Sequence, residues 1–115
     1  MLKSPINFLH HILDECTFIV NISNQICDYD KFITNEILKR AVVRSLEIIG
    51  EATKSITVDY KLKWNEITWK EMAGMRDKLI HDYIGVNYKI VWDVAMNKIP
   101  ILKQQIENVI NNEKG

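Results

Sequence analysis

Cysteine is scarce in this 115-residue chain, which has two, Cys16 and Cys27. Two are too few to staple a small secreted domain. Placed on one helix they lie about 16 Å apart along it, far beyond disulfide reach. They read as small core residues in a reducing cytoplasm. Net charge is lacking too, because fifteen basic and fifteen acidic residues cancel and mix along the chain without a polybasic tail. Any binding to nucleic acid then has to rest on a local basic patch, since the overall field does not help. There is no long apolar run. The opening MLKSPINFLHHILDE meets His10, His11, Asp14 and Glu15 early, which argues against a signal peptide or a membrane span and for a cytoplasmic protein. No glycine-rich phosphate loop occurs, so nucleotide hydrolysis by the chain itself is not expected and no cofactor is implied. No repeat, low-complexity stretch or linker divides residues 1–115, which read as a single domain. At 47% hydrophobic, it can bury a modest core.

What the chain does have is helical periodicity, in four stretches with no convincing strand between them. Ser4-Pro5 offers a cap followed by proline at the first helical position. From there Leu9, Ile12, Leu13, Cys16, Ile19, Val20 and Ile26 recur at spacings dominated by three and four. A second helix is expected from about Thr34 to Ile56, carrying Ile37, Leu38, Ala41, Val42, Leu46, Ile48, Ile49 and Ala52. Along it runs a polar stripe, Arg40, Arg44, Glu47 and Glu51. The segment TVDYKLKWNEI reads as a turn region. Thr68-Trp69-Lys70-Glu71 then forms a capping-box pattern, with Thr68 as cap and Glu71 reaching back. It opens a third helix over about Trp69 to Tyr83. Gly85 supplies a stop and Asn87 a new cap. The last helix runs from about Tyr88 to Asn111, with Pro100 kinking or dividing it. The pattern predicts an all-α, antiparallel bundle of four to five helices, with a short extra helix around Asp30 to Ile33.

One segment does not fit ordinary amphipathic patterning. In RDKLIHDY, Arg76 to Tyr83, an ideal helix puts Arg76 and Tyr83 within about 20° of each other and His81 roughly 140° round from Arg76. A bland explanation exists: a histidine near a helix C-terminus caps carbonyls or meets the dipole. Asp77 with His81, and Lys78 with Asp82, then make surface pairs four apart. The sharper explanation starts from what RNA cleavage needs. The 2′-hydroxyl loses a proton, the departing 5′-oxygen gains one, and the phosphorane carries extra negative charge. Histidine moves protons near neutral pH. Arginine holds phosphate oxygens as charge builds, and a tyrosine hydroxyl can hydrogen-bond the phosphate or the attacking group. Arg76 and His81 can meet on one substrate if the helix ends or distorts near His81, or if a second subunit supplies part of the site.

The string Arg76-x4-His81-x-Tyr83 resembles the R-x4-6-H-x-Y motif of HEPN (higher eukaryotes and prokaryotes nucleotide-binding) domains. The flanking text resembles their HepT-type toxins: RAVVRSLEIIGEATKSI (40–56), WKEMAGMRDKLIHDYIGVNYKIVWDVAMNKIPILKQQIE (69–107) and, more loosely, INFLHHILDEC (6–16). The resemblance implies an all-helical homodimer whose two motifs face one cleft. It implies a metal-independent endoribonuclease toxin acting on tRNA or mRNA, with Arg76, His81 and Tyr83 as catalytic residues. It also implies an antitoxin partner resembling the minimal nucleotidyltransferase MntA, which in some pairs adenylylates the tyrosine that corresponds to Tyr83. Many family members have asparagine after the arginine, where this chain has Asp77. An acid there either weakens phosphate binding or orients His81 from four residues upstream, so Asp77 joins the RNA-side candidates. The competing class is a non-catalytic helical module that presents substrate to a nucleotidyltransferase.

The polar stripe carries two readings. It is either a solvated face of i,i+3 and i,i+4 pairs such as Arg44–Glu47, or a lining of the cleft in which Arg44 holds RNA and Glu51 orients it. His10 and His11 are adjacent and point to different sides of a helix, a poor chelate, and no metal site is expected. Trp64, Trp69 and Trp92 read as core or interface residues before base-stacking ones.

Overall fold

Local capping chemistry decides where most helices begin. The computed structural model describes residues 4–80 and 85–114, with positions 76, 78–80 and 114 described by backbone alone. Helix α1, Pro5–Ile26, starts where the Ser4 hydroxyl accepts the Asn7 N–H at 3.3 Å. It ends at Cys27, which takes a left-handed conformation (φ 52°) as its N–H reaches the Ser23 carbonyl. Its inner face, Leu9, Ile12, Cys16 and Ile19, is fully buried. The cap position leaves Cys27 exposed rather than in the core, and both cysteines are free thiols.

Asp28 caps the short α2, Tyr29–Thr34, by accepting the Asp30 N–H at 2.9 Å. Asn35 then caps α3, Glu36–Ser55, by accepting the Leu38 N–H at 3.0 Å. The expected short helix is therefore present, and a cap residue separates it from the second long one. Helix α2 is held by a single buried anchor. Phe32 is fully buried, with its ring 4.9 Å from Trp92 and 6.4 Å from Tyr88.

The region expected as a turn contains a further helix, α4, Val58–Lys63. None of its residues is buried. Val58 and Leu62 stand four apart but exposed, and one such pair in six residues is too short a period to mark a helix. Asp59 in its first turn and Lys61 and Lys63 in its last suit the helix dipole. Lys63 also meets Glu113 at 3.0 Å. Helix α5, Trp69–Ile80, comes next, opened by the Met72 N–H donating to the Thr68 carbonyl at 3.1 Å. Glu71 lies 3.5 Å from Lys98.

Asn87 caps α6, Tyr88–Asp93, accepting the N–H groups of both Lys89 and Ile90. Pro100 neither breaks nor divides the C-terminal helical run. A π-helical segment, Val94–Lys98, leads directly into α7, Ile99–Lys114. Proline has no N–H and its ring crowds the carbonyl four residues back. The wider π turn, with the Ile99 N–H bonded to the Val94 carbonyl, carries the helix through that position.

The elements form an all-α bundle in which α1 packs against both α3 and α7, and α3 packs against α1 on one side and α5 on the other. Leu46, Ile49, Val91, Ile99 and Ile106 fill its centre with the α1 residues. Trp64 and Trp69 are buried, as expected of core residues, and Trp92 is half-buried. No helix among the described residues is long and apolar enough to cross a membrane.

Candidate functional site

The packing order leaves one face of α3 open between its neighbours, and that face carries the polar stripe. Arg40 pairs with Glu36 at 3.5 Å. The Glu36 carboxyl is held below the usual carboxylate range, first by its hydrogen bond from Lys39. Arg44 donates to Glu47 at 3.1 Å and lies 3.7 Å from Glu51. The i,i+3 pairing expected for a solvated face is thus present. Arg44 remains 60% exposed in its side chain, so its guanidinium is still presented to solvent.

Sequence reasoning ends this stripe at Glu51, although it continues. Lys54, three residues further on and so on the same side of the helix, reaches across to α5 and meets Asp77 at 3.3 Å. The spacing marks Lys54 as a member of the stripe, though not its partner on α5. This ion pair links α5 to α3 at the residue immediately after Arg76. The backbone at Arg76 belongs to α5. The side chain of Arg76, and His81 and Tyr83 entirely, lie outside the described residues. Of the two RNA-side candidates, Asp77 is placed against α3 beside Lys54. Arg44 lies ten residues before Lys54 on α3, about 15 Å along the helix. The two are therefore not brought together.

On the other flank, Glu51 and Ser55 border a shallow groove shared with Phe8 and His11 of α1. His11 faces this groove and is exposed. Among the described residues no three His, Cys, Asp or Glu side chains gather as a metal ion requires.

A helical bundle with an acid- and base-lined face on its third helix, in a chain that carries Arg-x4-His-x-Tyr from its fifth helix onward, is of HEPN type. The family model described as Ribonuclease HepT-like matches residues 12–109, and this chain belongs to that family. It is 45% identical over 113 residues to a "Putative RNase" of Caldanaerobacter subterraneus subsp. tengcongensis, covering 98% of this chain and 100% of that one. It is 46% identical over 108 residues to a "Putative RNase" of Methanocaldococcus jannaschii, covering 94% and 88%. With the "Probable ribonuclease HepT" of Thermococcus cleftensis it shares 40% identity over 109 residues, 95% of this chain and 98% of that one. No solved structure matches the chain at a significant level.

Proposed function

We propose that the chain is a metal-independent endoribonuclease toxin that cuts RNA, tRNA or mRNA, in a cleft shared by two copies. The observation that carries this reading is the family match over residues 12–109, which contains the Arg76, His81 and Tyr83 string. In this reading His81 moves the proton at the 2′-hydroxyl or the leaving 5′-oxygen. Arg76 holds the phosphate and meets the charge of the phosphorane. Tyr83 positions the substrate through its hydroxyl, while Arg44 and Asp77 line the RNA side. Proton transfer and charge stabilisation are both supplied by side chains, so the chemistry calls for no metal.

Removing a positioned proton shuttle costs about 10²–10⁴ in rate. Purified protein incubated with total tRNA in EDTA is expected to cleave it, and His81→Ala to leave it intact. Arg44→Ala is expected to weaken RNA binding with an unchanged thermal melt. Cleavage by His81→Ala at the wild-type rate removes the histidine from its role. RNA left intact by the wild-type protein favours the non-catalytic helical module instead.

The same cleft is where an antitoxin resembling a minimal nucleotidyltransferase acts, transferring AMP from ATP to the Tyr83 hydroxyl with release of pyrophosphate. The added phosphodiester charge and base repel RNA and occupy its place. Intact-mass measurement after incubation with the partner and ATP is expected to show one adenylate per chain in wild-type protein and none in Tyr83→Phe. A shift that persists in the variant places the modification elsewhere.

A further inference from the structure

We propose that Lys54 is a positioning residue for RNA cleavage, which cancels the charge of Asp77 beside the phosphate-holding Arg76. This inference rests on the ribonuclease reading. Its geometric basis is the ion pair that joins α3 to α5, with Lys54 Nζ 3.3 Å from Asp77 Oδ1. Asp77 directly succeeds Arg76 on α5, about 1.5 Å further along the helix axis and about 100° round it. Its charge therefore reaches the phosphate through space and not by contact with Arg76. The negative charge of a carboxylate at that position opposes the phosphate that Arg76 is to hold. On α3, Arg40 is matched to Glu36, and Arg44 to Glu47 and Glu51. Lys54 extends the same matching across to α5.

The pair does little to hold the fold. Both side chains are nearly half exposed, and exposed pairs contribute little to stability. Packing in this part of the molecule already buries Ile49, Ala52, Trp69 and Met72. Its consequence is electrostatic, felt by an anion approaching the end of α5.

A double-mutant cycle separates these roles. Cleavage of tRNA in EDTA is measured for wild type, Lys54→Met, Lys54→Arg, Asp77→Asn and Lys54→Met/Asp77→Asn, with thermal melts as folding controls. Lys54→Met is expected to raise KM about tenfold with kcat little changed, within the range of coupled charged pairs. Lys54→Arg, which keeps the cation, is expected to stay within about twofold of wild type. In the Asp77→Asn background the same Lys54→Met change is expected to cost less than about twofold relative to that background. The wild-type advantage over Lys54→Met also shrinks as salt rises, because the Debye length falls from about 10 Å at 0.1 M to about 3 Å at 1 M. An equal loss with and without Asp77→Asn overturns the proposal, since Lys54 then acts on RNA or on the fold independently of Asp77. Absence of cleavage by the wild-type protein is a different failure, which overturns the ribonuclease reading and this proposal with it.

Discussion

Cys16 and Cys27 are eleven residues apart in the chain and chemically opposite in the molecule. Cys27 is exposed at the end of α1. Cys16 is fully buried, and burial pushes its thiol up from 9.0 to about 12, with Lys103 pulling partly the other way. Below pH 9 both folded and unfolded chains keep the proton, and the thiol contributes nothing that varies with pH. Between about pH 9 and pH 12 the unfolded chain releases it while the folded chain holds it, so stability falls as pH rises, by up to about 1.4 kcal/mol per unit. Cys16→Ala removes this slope and leaves a small cavity. Urea midpoints at pH 8 and pH 10.5 are expected to move apart more for wild type than for Cys16→Ala. Equal shifts in the two proteins mean that Cys16 does not control the alkaline limb.

At the scale of elements, what could be read in the sequence was what burial and capping write there. Helix α1 shows its inward stripe and its Ser4-Pro5 start, and α6 shows its Asn87 cap, so both starts were legible almost to the residue, whereas the end of α6 at Asp93 was not. Helix α4 was not, because its six residues hold a single i,i+4 apolar pair, Val58 and Leu62, which is exposed and too short to set a period. Pro100 was legible as a disturbance, but not as a π segment. Proline reports the lost hydrogen bond, while the packing around Val94, Ala95 and Ile99, all buried, keeps the chain helical through it. The candidate site divides along the same lines. Arg76, His81 and Tyr83 stand out by motif, within one short stretch of chain. Lys54 acts through a residue 23 positions away, and no periodicity along a single helix shows which side chain faces it from the next.

At the scale of the whole molecule, the step that joins motif to mechanism is the phase of Arg76 and His81. On one regular helix they point roughly 140° apart, which is hard to reconcile with a single phosphate. A two-fold dimer removes the conflict if each cleft takes Arg76 from one copy and His81 from the other, and two-fold symmetry then produces two identical composite sites. This arrangement has a consequence that a self-contained site lacks. Arg76→Ala and His81→Ala are each expected to be inactive alone. In a mixed dimer, one composite site combines the intact Arg76 of one chain with the intact His81 of the other, while its counterpart has neither. Equal mixing makes about half the dimers mixed, each with one working site of two, so about a quarter of wild-type activity is expected to return. The two variants are unfolded together, refolded together and assayed on tRNA in EDTA, with sedimentation velocity to establish that dimers form. Dimers without recovered cleavage mean that each chain completes its own site, and that the end of α5 itself turns His81 toward Arg76.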